Sequence, residues 1–262
     1  MKIVVCVKQV PDTNEVKIDE EKGTLIREGV PSIINPEDRT ALEEAVRLKE
    51  EFGGEITVIS MGPPQASEAL LEAYAMGADR AILLSDRAFA GSDTWATAYT
   101  LSQAIKELDD IDLVFCGRQA IDGDTAQVGP QVAENLSLPQ ITYVSDLKIE
   151  EKKVTAKREL EDGYAVIETE LPVLLTVVEK LNEPRYPSIK RIVDAYKNEK
   201  RVEIWSAEDF EIDKDKVGLD ASPTQVYDTF VPTKESKGEI LKGNDKEKVE
   251  KLIEKLKAEK VV

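Results

Sequence analysis

The sequence predicts an α/β protein: a mostly parallel sheet, widened by a β meander and followed by an extended C-terminal arm. Three observations carry this. Short aliphatic runs alternate with helix-length amphipathic segments as far as Leu136, the texture changes to period-two alternation from Ile141, and apolar density falls after "EKLNEPRYPSIKRI". Strands separated by helices imply right-handed crossovers and parallel pairing.

The run "KIVVCVK" from Lys2 is aliphatic at successive positions, as a strand covered on both faces requires. "EITVIS" from Glu55, "AILLS" from Ala81 and "DLVFCG" from Asp112 repeat the pattern. Between the first two, "NPEDRTALEEAVRLKEEFGG" sets Ala41, Leu42, Ala45, Val46 and Leu48 on one helical stripe, with Asn35 as N-cap, Pro36 at the first helical position and Gly53-Gly54 as a stop. "QASEALLEAYAMGADR", ended by Gly77, and "SDTWATAYTLSQAIKEL", capped by Ser92 or Asp93, read the same way. From Ile141, turn signals at Glu150 to Lys152 and at Asp162-Gly163 divide alternating runs into a meander. The closing "DKEKVEKLIEKLKAEKVV" aligns Val249, Leu252, Ile253 and Leu256 on one side of a helix. The terminal stretch has too few apolar residues to fold alone and needs another surface.

Charge and composition exclude whole classes of function. Lysine and arginine total 35 against 52 acidic residues, a formal net charge of −17. Nucleic acid and anionic bilayers would repel such a chain, because affinity for polyanions comes from clustered cations. No apolar run approaches the roughly 20 residues a spanning helix needs. The opening run is also too short for a signal-peptide core, so a cytoplasmic protein without membrane insertion is expected. There is no histidine, which removes imidazole bases and the triads built on them. Unperturbed carboxyls are ionised and lysines protonated at neutrality, so the chain is expected to work without a side chain that titrates there. Chemistry carried by a bound cofactor meets that condition. Cys6 and Cys116 lack CxxC spacing and read as reduced core thiols.

In a parallel sheet the loops after the strands converge on a ligand crevice; here they begin at Lys8, Met61, Ser85 and Gly117. In "DLVFCGRQAIDGDTAQVGPQVAENL", Gly117 ends a strand, Gly123 lets the backbone turn, and Thr125, Ala126 and Gln127 stand where a helix begins. Backbone amides and the positive end of a helix dipole form an anion site there without any lysine. The arrangement is Rossmann-like but lacks both GxGxxG and GxxxxGK[ST]. A purely structural reading, in which the glycines turn the chain and Asp124 caps the helix, therefore stands beside it. Pro130 either opens that helix or perturbs it. Asp122 and Asp124 have no third acidic neighbour, so no metal is assigned. In the loop from Ser85 to Asp93, Gly91 allows close approach of a flat ligand, while Trp95 and Tyr99, four apart, read as core or interface residues.

Taken in order, "VCVKQVPDT", "NPEDRTALEEAVRLKE", "AMGADRAILL", "GRQAIDGDTAQVGP", "AKRELEDGYAVIETELPVLLTV" and "LNEPRYPSIKRI" resemble the β subunit of the electron transfer flavoprotein family over nearly the whole chain. One departure is Ala165, where family members often carry an acidic residue. The resemblance implies a Rossmann-like, adenine nucleotide-binding fold over residues 1–183 and an arm over 184–262 that packs on an α subunit in a heterodimer. It places the nucleotide among Cys6, Asn35, Pro36, Glu37, Asp38, Met61 and the loop Gly117, Arg118, Gln119, Ala120, Ile121, Asp122, Gly123, Asp124, Thr125, Ala126, Gln127 and Val128.

"SDRAFAGSDTWAT" and "DGDTAQVGP" resemble the electron-bifurcating branch, in which that pocket holds FAD reduced by NADH. Phe89, Ala90, Gly91, Asp93 and Thr94 would then lie toward the flavin, with helix capping as the other role open to Asp93 and Thr94. The alternative is an AMP-binding subunit of a single-FAD electron carrier, and a third reading is a nucleotide-binding module without redox function. Arg158 and Glu159 are implied at a partner interface. "EPRYPSIKRI" resembles the segment that engages redox partners, with Ile189 as anchor, Tyr186 beside it, and Arg185, Lys190 and Arg191 around it. A dehydrogenase, a quinone reductase and a ferredoxin are all compatible acceptors.

Overall fold

In the computed structural model, which describes residues 1–12, 18–19, 24–25, 31–197, 201–227 and 238–261, the opening run becomes strand β1, Lys2–Cys6. Gln9–Pro11 (β2), Ile18–Asp19 (β3), Thr24–Leu25 (β4) and Ser32–Ile34 (β5) make two small ribbons, β2 with β5 and β3 with β4. Then come helix α1 (Pro36–Phe52), β6 (Glu55–Met61), α2 (Ser67–Met76), β7 (Arg80–Leu84), α3 (Thr94–Lys106), β8 (Leu113–Gly117) and α4 (Val128–Leu136). The meander follows as β9 (Gln140–Glu150), β10 (Lys153–Leu160) and β11 (Gly163–Glu170), succeeded by β12 (Val173–Val177), α5 (Ile189–Lys197), β13 (Val202–Trp205) and α6 (Asp245–Ala258).

Nine strands form one sheet in the order β11-β10-β9-β12-β8-β1-β6-β7-β13. Alternation along β1 explains its unbroken apolar run: Ile3 and Val5 join the core beneath α1 and α2, while Val4 and Cys6 join the one beneath α3 and α4. After β1 the chain winds outward through β6 and β7, then returns to place β8 on the other flank of β1. That reversal opens a crevice at the C-terminal ends of β1 and β8.

Two details depart from the sequence reading. The segment after the meander does not continue it, because fully buried β12 runs parallel between β8 and β9. At the far edge β13 pairs parallel with β7, and α5 is tied to α2 where Tyr74 donates its hydroxyl to Asp194 at 2.8 Å. By contacts the chain falls into two compact units, Met1–Lys17 with Leu25–Tyr227, and Ile18–Thr24 with Asp228–Val262. That division does not coincide with a boundary after residue 183, because α5 and β13 complete the first unit. In the second unit, α6 opens with a capping box between Asn244 and Glu247 and leaves Val249, Leu252 and Ile253 exposed. Among the described residues no helix is long and apolar enough to cross a membrane.

The two helix stops differ in what surrounds them. Gly77 ends α2 at φ 153°, and a Cβ there would lie 2.6 Å from a methyl of Val46 on α1. Gly53 ends α1 at φ 71° with nothing within 4 Å. Gly77→Ala is therefore expected to cost about 2–3 kcal/mol, adding overpacking to backbone strain, and Gly53→Ala about 1 kcal/mol. Urea unfolding midpoints of the two variants check the order.

Candidate functional site at the β1 and β8 strand ends

The crevice is held open by carboxylates and an amide from the start of α1. Asp38 is buried and accepts the Lys8 N–H at 2.8 Å and the Gly117 N–H at 3.0 Å, so one side chain fixes the ends of both strands. A Cβ on Gly117 would collide with that carboxylate, which is why glycine stands there. Glu37 accepts the Gln119 N–H at 2.9 Å and pairs with Arg118 at 3.1 Å. Asn35, expected to cap α1, has no capping bond. Its buried amide reaches across instead, donating to the Gln119 carbonyl at 2.9 Å and accepting from the Ile121 N–H at 3.0 Å. Over this layer Lys8 Nζ pairs with Asp122 at 2.7 Å.

Beyond Ile121 the loop turns in a way the glycine pattern does not announce. The left-handed residues are Asp124 (φ 47°) and Ala126 (φ 52°), not Gly123. Asp124 does not cap α4; it accepts from the Gln119 amide at 2.8 Å. Helix α4 starts at Val128 without a side-chain cap, and Pro130 falls in its first turn, where a missing N–H costs nothing. Among the described residues, the N–H groups of Thr125, Ala126, Gln127 and Val128 find no protein acceptor. A Cβ on Gly123 would meet nothing within 4 Å. Free amides at a helix N-terminus beside open space fit the diphosphate or phosphate of a nucleotide.

The second loop is organised differently. Asp93 caps α3 by accepting the Trp95 and Ala96 N–H groups, while its other oxygen accepts the Thr224 N–H and hydroxyl at 2.9 and 2.8 Å. Burial works against its ionised form, but these donors outweigh it and hold the carboxyl below its usual range. Gly91 has φ 76°, and the group that approaches it is Leu219 of the chain itself, 2.9 Å from a notional Cβ. Ala90 accepts the Leu219 N–H, and Phe89 is buried against Phe210. The segment around Gly218 to Thr224 thus covers this loop. Thr94 joins the two loops by donating to Gln127 Oε1 at 3.0 Å. Trp95 and Tyr99 stack on each other at 6.0 Å.

Cys6 and Cys116 are free, buried and on adjacent strands, one residue beyond the Val5–Phe115 pair in the register. A hydrogen bond to Cys6 and burial together push the Cys116 thiol well above its usual range, so both read as core thiols. Met61 ends β6, half-buried. Of the proposed partner residues, Arg158 lies beside the crevice loop across the Tyr143 ring. Arg158 and Arg118 flank the Tyr143 ring at 6.0 and 5.9 Å, and Glu159 pairs with Lys180 at 2.6 Å. Tyr186 and Ile189 are largely exposed, whereas Arg185 is bound to Glu43 and Glu50 and Arg191 to carbonyls of α2 and its exit. Sequence reasoning did not foresee the ties made by Lys8, Glu37 and Asn35. The available signal was a carboxylate stripe on α1, with Glu37 and Glu44 seven residues apart and therefore on one side of the helix.

Fold and site together define an α/β protein with a crevice and free backbone amides at a topological switch point. A family model described as the electron transfer flavoprotein domain matches residues 22–209. The chain is 60% identical, over the full length of both, to the electron transfer flavoprotein subunit beta of Thermoanaerobacterium thermosaccharolyticum. It is 56% identical to the caffeyl-CoA reductase-Etf complex subunit CarD of Acetobacterium woodii and 47% identical to the acryloyl-CoA reductase electron transfer subunit gamma of Anaerotignum propionicum, each across the full length of both chains. The chain belongs to the electron transfer flavoprotein family, as a β subunit.

One buried group titrates near neutrality in a structural position. Burial raises the Asp38 carboxyl to about 7, against the opposing pull of the Lys8 amide, the Asn35 side chain and the Gly117 amide. Its ordinary value is 3.8, so between about pH 4 and 7 the native state holds a proton that the unfolded chain has lost. This contribution is fully present below the unfolded value and disappears as pH rises through about 7, so stability falls across that window by on the order of a few kcal/mol. Urea unfolding from pH 5 to 8 is expected to show this fall in the wild type. In Asp38→Asn that component is absent, and parallel pH profiles for the two proteins would contradict the assignment.

Proposed function

We propose that this β subunit binds FAD in the strand-end crevice and, with its α subunit, takes electrons from NADH and distributes them by bifurcation. The free amides of Thr125 to Val128, beside the open space at Gly123, carry the reading, since a diphosphate needs donors and room rather than a cationic patch. A flavin held there would supply the two-electron and one-electron redox chemistry that this reading needs. The chain's own work is to bind and orient. Asp38, Glu37 and Asn35 hold the two strand-end loops in register, and the α4 amides receive the phosphates. Asp93 and Thr94 stand at the junction toward the flavin.

We infer further that Arg158, Glu159 and the exposed face of α6 meet partner subunits, and that Tyr186 and Ile189 engage a cytoplasmic electron acceptor. The relatives named for caffeyl-CoA and acryloyl-CoA reductases favour an acyl-CoA dehydrogenase type. The second reading, AMP in the crevice of a single-FAD carrier, is favoured by Leu219, which fills the approach to Gly91.

Nucleotide released from the purified heterodimer separates the two. Two FAD per heterodimer and no AMP is the expected result; one FAD with one AMP would establish the second reading, and a nucleotide in the β subunit with no flavin in the complex would leave the nucleotide-binding module without redox function. Gly123→Val tests the position of the site. With open space and no left-handed φ at Gly123, unfolding free energy is expected to stay within about 0.5 kcal/mol of wild type, while one equivalent of FAD is lost.

A further inference from the structure

The segment leading into α5 is built inside out. Asn182 and Arg185 turn inward while Tyr186 and Ile189 turn outward, at 91% and 80% exposure. Inward, Asn182 donates to the Thr40 carbonyl at 3.1 Å and to Glu44 at 2.9 Å. Arg185 grips two carboxylates of α1 at once. Its Nε and Nη2 donate to Glu43 at 2.8 and 3.1 Å, its Nη1 and Nη2 to Glu50 at 2.6 and 3.0 Å, and its backbone N–H to Glu43 at 3.1 Å. The Glu43 side chain is only 4% exposed. Seven residues apart, Glu43 and Glu50 lie on one stripe two turns long, which matches the planar fork of a guanidinium and not the single point of an ammonium. Pro184 and Pro187 bracket the arginine and restrict φ on either side.

We propose that Arg185 is a positioning residue for acceptor docking: by bridging Glu43 and Glu50 it fixes the backbone around Tyr186 so that Tyr186 and Ile189 stand outward, and it does not itself touch the acceptor. The guanidinium has four donor contacts committed within the chain, which leaves little for a partner. An exposed apolar anchor that must be ordered during binding loses affinity to that ordering, and one already fixed does not. Without Arg185, Glu43 would keep its bond from Arg47, Glu50 would lose its bidentate partner, and the segment would keep the tie at Asn182 but lose the one next to Tyr186. The inference rests on the reading that Ile189 anchors an acceptor protein, but the ordering effect does not.

The test uses the complete complex with its α subunit and the variants Arg185→Gln, Arg185→Lys and Ile189→Ala. Hydrogen exchange followed by mass spectrometry is expected to show the non-proline amides of 184–190 exchanging about tenfold faster in Arg185→Gln, an opening of the kind local protection reports. Arg185→Lys, which keeps the charge and loses the fork, moves the same way by a smaller factor, and peptides over Leu113–Gly117 do not change. With a purified acyl-CoA dehydrogenase as probe acceptor, Arg185→Gln raises KM for that protein about tenfold with kcat altered less than twofold.

Unchanged exchange over 184–190 overturns the proposal whatever acceptor is used. So does a looser segment with unaltered KM while Ile189→Ala raises KM. A parallel fall in kcat and thermal midpoint assigns Arg185 to general stability and also overturns it. If Ile189→Ala leaves KM unchanged, the anchor reading fails by itself, and the exchange result alone decides whether the clamp orders the segment.

Discussion

The Asp38 carboxylate, buried and shared between the Lys8 and Gly117 amides, is the tie on which the site depends. Parallel strands β1 and β8 end side by side at the point where the winding reverses, and their loops would diverge unless something held them. Asp38 supplies a common acceptor, and Glu37 and Asn35 extend the hold to Gln119 and Ile121. A carboxylate with backbone donors is strongly held, but burying it raises its proton affinity. The same residue is therefore both the tie between the loops and a group whose proton affinity burial raises toward neutrality.

Helix α1 carries the structure beyond the crevice as well. Its first turn shapes the loop from Gly117 to Val128, and its middle turns carry Glu43 and Glu44, which hold the segment that presents Tyr186 and Ile189. Acidic residues in an acidic chain are usually a solvated face, yet these are buried, because the segment from Asn182 to Arg185 lies over them and supplies the matching donors. Cations are correspondingly committed: Arg118 to Glu37, Arg185 to Glu43 and Glu50, Lys8 to Asp122. The donors left open at the start of α4 are backbone N–H groups, which need no surplus of positive charge in a chain of net charge −17.

Much of the fold was legible because it is punctuated locally. The Pro36 start and Gly53-Gly54 stop of α1, Gly77 after α2 and Asp93 before α3 all act within one turn, and the β-branched runs are unbroken where both faces are covered. What was not legible depends on distant partners. Val202–Trp205 is a short run in a charge-rich stretch and becomes a strand because the β7 edge is there to pair with. Gly123 and Gly91 looked like room for a ligand; at Gly91 the room is taken by Leu219, and near Gly123 the left-handed positions belong to Asp124 and Ala126. The crevice could be placed from strand order alone, but its carboxylate framework could not. A Glu or Asp in the first turn of a helix has the same sequence appearance whether it faces water or a neighbouring loop.

The most direct test concerns the amides to which the nucleotide is assigned. Backbone exchange over Thr125 to Val128 should be followed in the complex stripped of nucleotide and again after adding FAD or AMP. Either nucleotide is expected to slow those four amides by an order of magnitude or more as they gain acceptors, while Leu113–Gly117 stays slow throughout. Binding of FAD or AMP without protection of Thr125 to Val128 would place the phosphates elsewhere and contradict an anion site built from the end of α4.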